Sequence, residues 1–167
     1  MTAPITIRYA TEHDVPTILG FIRALAKYEH LEHEVVATEA SLRQTLFGAH
    51  RYAEVVFACV DDVPRGFALF FHNYSTFLGK PGIYLEDLFV HPEARGHGLG
   101  KYLLTWLAQT AVERHCGRLE WSVLDWNEPS IGFYRSLGAV LKSEWQIFRL
   151  TGEALQALAN PHASTNA

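Results

Sequence analysis

At 167 residues, 49% of them hydrophobic and 13% aromatic, the chain carries enough apolar surface for one folded core, which excludes an intrinsically disordered protein. A formal charge of −4 offers no basic field for nucleic acid, and no apolar run approaches the ~20 residues of a membrane span. Met1-Thr2-Ala3-Pro4 lacks the charged and apolar regions of a signal peptide, and Cys59 and Cys116 form no C-x-x-C pair, so both read as reduced thiols of a cytoplasmic protein.

Ile5 to Tyr9 alternates and predicts a first strand. Thr11 followed by Asp14 is a helix-start signal, after which Val15, Ile18, Leu19, Ile22, Leu25 and Ala26 make one apolar stripe to about Tyr28. The segment Lys27 to Glu34 is rich in acid and histidine. His30 and His33 could ligate a metal, but no third well-spaced ligand is nearby, so no metal is expected. The same segment also reads as a solvated helix end, or as an acidic rim drawing a cationic substrate. Thr38 caps a short helix bearing Leu42, Leu46 and Phe47 and ending at Gly48.

Glu54 to Val60 and Phe67 to Tyr74 predict a hairpin across the Asp61–Gly66 turn, and Tyr84 to Val90 a fourth strand completing an antiparallel meander. Gly100, Leu103, Leu104, Leu107, Ala108 and Ala111 fit a helix stopping near Gly117. Leu119 to Leu124 predicts a fifth strand, which a right-handed crossover makes parallel to the fourth. Asn127 or Glu128 caps a helix with Pro129 in its first turn and Gly138 as its stop. Ala139 to Leu141 and Trp145 to Leu150 predict a terminal hairpin, and Thr151 to Ala159 a closing helix. The expectation is an α/β (α+β) fold: a mixed sheet of six to seven strands flanked by helices, in one domain over residues 1–159 with a frayed tail over 160–167.

The fourth strand runs through His91-Pro92-Glu93-Ala94 into Arg95-Gly96-His97-Gly98-Leu99-Gly100-Lys101 and the long helix. Strand, glycine loop and helix in that order place bare N–H groups and a helix dipole where an anion can sit. A phosphate-binding G-x-x-x-x-G-K-[ST] loop is excluded, because Arg95 stands five before Gly100 and Tyr102 follows Lys101. A dinucleotide G-x-G-x-x-G is excluded because the glycines fall at 96, 98 and 100. Glu86 lies inside an apolar strand, where a charge needs a partner or a job. By strand parity it shares a face with Tyr84, Leu88 and Val90, while Asp87 points with Leu85 and Phe89, unless a bulge breaks that parity. Tyr134 sits in a helix, where core packing competes with a proton-donor role.

The R-x-x-G-x-G pattern at Arg95 to Gly100 resembles the acetyl-CoA pyrophosphate loop of the GNAT N-acetyltransferase superfamily. Together with Leu25-Ala26-Lys27-Tyr28-Glu29, Tyr84-Leu85-Glu86-Asp87-Leu88-Phe89-Val90 and Trp126 to Tyr134, it resembles the spermidine/spermine (diamine) and thialysine acetyltransferases in particular. That resemblance implies acetyl-CoA as cosubstrate and a GNAT fold. Tyr134 would be the proton donor to the CoA thiolate, and Glu86 an acid linked to amine deprotonation through water. Acetyl-CoA contacts are implied at Leu88, Phe89, Val90, Arg95, Gly96, His97, Gly98, Leu99, Gly100, Lys101, Asn127, Glu128, Pro129 and Ser130. Substrate contacts are implied at Tyr28, Glu29, Glu86, Asp87, Glu120, Trp121 and Ser122, within a homodimer. One departure is that His30 and His33 interrupt Glu29, Glu32 and Glu34, where polyamine-specific members carry denser acid. A lysine-like amino acid or short diamine is therefore as consistent as a polyamine. Acetylation of a protein or peptide, and a non-catalytic acyl-CoA-binding module, are the alternatives.

Overall fold

The computed structural model describes residues 4–160. The start of the chain, read above as lacking a signal peptide, lies at residues 1–3 outside the described residues, and so does the expected tail from residue 161 onward. The chain divides into two compact units, Met1–Ser122 and Val123–Ala167.

The first unit is built on a five-stranded sheet in sequence order: β1 (Ile5–Tyr9), β2 (Glu54–Val60), β3 (Val63–Ser75), β4 (Lys80–Val90) and β5 (Leu119–Trp121). The first four pair antiparallel, and β5 runs parallel to β4 with Tyr84 opposite Glu120. The meander and the parallel pair follow the sequence expectation. Both β3 and β4 are longer than their apolar cores suggest: the ladder extends through Tyr74–Pro81 and Ser75–Lys80, and β3 already starts at Val63 opposite Val60, so the expected Asp61–Gly66 turn is reduced to Asp61-Asp62. The β2–β3 turn forces Asp61 and Asp62 to positive φ of 51° and 60°, as a two-residue hairpin requires.

One sheet face is covered by α1 (Val15–Glu29), whose Val15, Ile18, Leu19 and Phe21 pack against Phe57, Phe67 and Phe89. Phe21 stacks on Phe67 with ring centroids 5.0 Å apart. Before α1 comes a 3-10 turn (Glu12–Asp14), where the Asp14 carboxylate accepts the Thr11 N–H at 2.8 Å and a forked pair of bonds from Arg8. A short helix, α2 (Glu39–Leu42), is capped by Thr38 and continues as a π-turn (Arg43–Phe47). The opposite face carries α3 (Leu99–Glu113), which buries Leu99, Leu103, Leu104, Leu107, Thr110 and Ala111. Ala108, placed on the apolar stripe by spacing, faces solvent, and Trp106 meets the rings of Tyr9 and Phe70 instead.

The second unit holds α4 (Glu128–Ser136) and α5 (Gly152–Ala159). Gly138 ends α4 at φ 88°, the left-handed stop read from the sequence. The expected terminal hairpin is not present: residues 139–150 form no ladder among the described residues, so the sheet has five strands and not six or seven. Val140, Leu141, Trp145, Ile147 and Phe148 are exposed. Apolar alternation supplies a face to bury, but a strand also needs a neighbouring backbone to bond, and among the described residues none pairs with this segment. By the same token β5 stops at Trp121, three residues before its apolar run ends.

Arg8 holds the Asp14 carboxyl well below the usual carboxylate range, with the Thr11 donors assisting. A depressed folded value means stability present above the unfolded value near 4 and lost as pH falls through the folded one. Replacing Asp14 by Asn should cost on the order of 1–2 kcal/mol in urea titrations at pH 7. The gap to the parent should begin to narrow as pH falls below about 4 and keep shrinking toward the depressed folded value, and a gap independent of pH would remove the ion pair as its cause.

Candidate active site

The β3–β4 ladder slips by one residue: Leu69 pairs with Asp87 and Phe70 with Leu85, leaving Glu86 as the extra residue of a bulge. Strand parity therefore changes across Glu86. Leu85 and Leu88 both face α3, opposite Phe70 and Ala68, whereas Tyr84, Asp87 and Phe89 face α1, opposite Phe71, Leu69 and Phe67. The unbulged expectation that Asp87 points with Leu85, and that Tyr84 lines up with Leu88 and Val90, is corrected. Glu86 is exposed, and Phe89 and Val90 are buried.

Asp87 is turned toward the C-terminal end of α1, where Tyr28 and Glu29 lie. Burial pushes its carboxyl up to about 6, and the charges of Glu86 and Glu29 push in the same direction. Burial also raises the Glu29 carboxyl. Three carboxylates so placed repel one another and favour a cation between them. Tyr28 lies 6.5 Å from the Phe89 ring and 4.8 Å below the guanidinium carbon of Arg95. Beyond Glu29, His30 closes α1 in the left-handed conformation at φ 61°. His33 pairs with Glu34 at 3.4 Å on the surface, and no group of three or more potential ligands that could hold a metal occurs among the described residues.

Along the same sheet face Glu120 is already engaged. Asn73 Nδ2 donates to its Oε2 at 2.8 Å and Arg118 Nε lies 2.9 Å from the same oxygen, so an incoming cation must compete with Arg118. Ser122 Oγ and the Tyr84 hydroxyl are hydrogen-bonded at 2.7 Å. Trp121, adjacent to Glu120 in a strand, belongs to the opposite face. Asn73, Arg118 and His91 were not read as site residues. His91, whose ring lies 4.5 Å from Phe21, anchors the chain leaving β4 by donating its N–H to the Arg65 carbonyl at 2.9 Å. Only the register of β3 on β4 and of β4 on β5, which a local pattern does not contain, brings Asn73 to Glu120, whereas Arg118 reaches it from two residues away in the chain.

After a 3-10 turn (Pro92–Ala94) the loop reaches Gly96 at φ 78° and Gly98 at φ 83°. Open space surrounds both positions, so the positive φ and not crowding selects glycine. Gly98 is the N-cap of α3, and no side chain caps it. The first bond within the helix is Tyr102 N–H to the Gly98 carbonyl at 2.9 Å, so the N–H groups of Leu99, Gly100 and Lys101 have no acceptor inside the helix. Amides without a helical acceptor, the positive end of a 15-residue helix and the exposed Lys101 suit a diphosphate. His97 Nδ1–H donates to the Arg95 carbonyl at 2.8 Å and steadies the turn.

In the second unit Asn127 is buried, and its Oδ1 caps α4 by accepting the Ser130 N–H at 3.4 Å, with Glu128 and Pro129 in the first turn. Tyr134 is half-buried on α4 with its ring 5.6 Å from that of Phe133.

Comparison with known proteins then places the chain. The acetyltransferase (GNAT) family matches residues 21–139. The thialysine N-epsilon-acetyltransferase of Bos taurus is 37% identical, over 93% of this chain and 97% of its own length. The L-ornithine N5-acetyltransferase of Arabidopsis thaliana is 36% identical, over 91% and 86%. Among solved structures, an integron cassette protein from V. cholerae matches with TM-score 0.79 and 30% identity, over 93% of this chain and 97% of that one. An aminoglycoside acetyltransferase from an uncultured soil sample shares the fold at TM-score 0.74 and 20% identity, over 89% and 97%.

The raised Asp87 carboxyl gives a ligand-independent check. Its native state keeps a proton between pH 4 and 6 that the unfolded chain has lost, so ionisation costs stability as pH rises through that window. Asp87→Asn should therefore raise unfolding free energy at pH 8 by up to about 2–3 kcal/mol and have little effect at pH 4. Equal effects at both pH values would show that burial does not burden this carboxylate.

Proposed function

Because this chain belongs to the acetyltransferase (GNAT) family, we propose that it transfers the acetyl group of acetyl-CoA directly to a primary amine of a small cationic acceptor. The observation that carries this reading is one junction in the first unit. The uncapped, glycine-led start of α3 follows a strand whose bulge presents Glu86 and turns Asp87 toward Glu29.

The loop amides of residues 96–101 hold the diphosphate, and the edge of β4 at Leu88 to Val90 receives the pantetheine arm. The acceptor's ammonium is drawn by Asp87 and Glu29. It loses a proton to Glu86, through water, and the free amine attacks the thioester carbonyl carbon. A tetrahedral intermediate forms, the C–S bond breaks, and the departing thiolate takes a proton from Tyr134, while the nitrogen releases its surplus proton to solvent, from which the Tyr134 phenolate is reprotonated. The products are an amide and CoA. For Tyr134 and for Asn127 to Ser130 the support is the family pattern of Trp126 to Tyr134 together with the Asn127 cap. The family match crosses residue 122, which supports a single acetyltransferase domain over residues 1–159.

Diamines, polyamines and lysine-like amino acids all present a primary amine with a further charge. The relatives named for thialysine and L-ornithine favour the amino acids. A homodimeric, cytoplasmic enzyme without a metal completes the proposal. Among the described residues no helix is long and apolar enough to cross a membrane.

The test is a CoA-release screen over polyamines, diamines, thialysine, ornithine, lysine and peptides, read as kcat/KM. Turnover on small dications above that on peptides is expected; peptides as the best acceptors would replace this reading. Tyr134→Phe should lower kcat by roughly 100-fold or more with little change in the Kd for CoA. Parental turnover in that variant would remove the tyrosine from the reaction. Glu86→Gln should move the alkaline rise of kcat/KM to higher pH, since the amine must then deprotonate in bulk solvent. An unmoved profile would leave Glu86 no part in proton removal.

A further inference from the structure

The R-x-x-G-x-G pattern invites the view that Arg95 contributes its charge to the diphosphate, yet its side chain turns the other way. Nε donates to the Val90 carbonyl at 3.0 Å. The guanidinium carbon lies 4.8 Å from the centroid of Tyr28 and 5.3 Å from that of Phe89. Two aromatic faces and one carbonyl thus engage the planar group, a geometry that suits arginine and not a point charge such as lysine. The contacts join three parts of the first unit: the last turn of α1 through Tyr28, the end of β4 through Phe89 and Val90, and the loop before α3 through the main chain of Arg95. The Arg95 carbonyl in turn accepts from His97, so both main chain and side chain are used in the same turn.

We propose that Arg95 is a positioning residue that clamps the Tyr28–Glu29 end of α1 to the glycine loop, setting where the amine-binding residues lie relative to the diphosphate-binding amides. Its effect on the amine is exerted through Tyr28. The proposal rests on the functional reading above for the identity of the two ligands, but the clamp itself is a property of the unliganded protein.

The experiment combines Arg95→Lys, Arg95→Gln, Tyr28→Leu and the two Arg95/Tyr28→Leu double variants with two readouts. In thermal or urea unfolding without ligand, a double-mutant cycle should show coupling between positions 95 and 28. Tyr28→Phe, which keeps the ring, should retain that coupling. In the enzyme, Arg95→Lys and Arg95→Gln should both raise the amine KM about fivefold, equivalent to ~1 kcal/mol, and by more than they raise the Kd for CoA. Adding either to Tyr28→Leu should cost little further. The opposite pattern would overturn the proposal: Arg95→Lys binding CoA like the parent while Arg95→Gln loses CoA affinity in a salt-dependent way marks a diphosphate ligand. Additive unfolding energies would likewise overturn it. If the parent bound no CoA, the functional reading would fail, and the ligand-free cycle would still decide the clamp.

Discussion

A single extra residue in β4 organises the first unit. Without it, the strand could not pack Phe89 against Phe21 on one face and keep both Leu85 and Leu88 on the other, since residues three apart fall on opposite faces of a regular strand. The slip between Leu69 and Phe70 reconciles both halves of the ladder with their helices. Its by-product is chemical. Glu86 leaves the regular pairing and is exposed at the bulge, while Asp87 keeps the face of Phe89, where α1 ends, and is separated from that of Leu85.

That displacement explains the electrostatics. A carboxylate on the inner face of a strand loses hydration, and here Glu29 and Glu86 add repulsion, so the Asp87 carboxyl rises to about 6. The Arg95 guanidinium does not relieve it, because it rests on Tyr28 and Phe89 and bonds a carbonyl. Glu120, further along the same face, is in contrast compensated by Arg118 and Asn73. Two acids on one face thus differ in kind: one is settled by the fold, and the other retains an unfavourable charge that an arriving ammonium would relieve.

Local pattern exposed most of this fold. The α1 stripe, the β2–β3 hairpin, the Thr38 and Asn127 caps and the Gly138 stop are all encoded within a few residues; the caps and the stop formed where the spacing put them, the stripe gained Phe21, and the hairpin turn tightened to Asp61-Asp62. Three features escaped that reading for one shared reason, namely that they depend on partners distant in sequence. The bulge is a mismatch between two strands and has no signature in either alone. The Asn73–Glu120 bond requires the register of three strands. Residues 139–150 alternate like strands, but alternation does not supply a bonded neighbour. Arg95 is the converse case: its motif was plain, and the motif concealed that the side chain faces α1.

The start of α3 shows why glycine and a missing cap belong together. A Ser, Thr, Asp or Asn at the N-cap stabilises a helix by about 1 kcal/mol over Ala and by a few tenths over Gly, and Asn127 and Thr38 cap α4 and α2 in this way. Gly98 forgoes that gain, and its φ of 83° would strain any of those residues. A capping side chain would also occupy the very amides that an anion would use. An unliganded helix start is thereby left less stable than it could be, and a diphosphate bound across Leu99, Gly100 and Lys101 would restore the bonds that the cap withholds. The neighbouring Arg95 serves this arrangement best by not reaching into it: main-chain donors fixed by the turn need no reorganisation, whereas a mobile side chain would have to be ordered at each binding event.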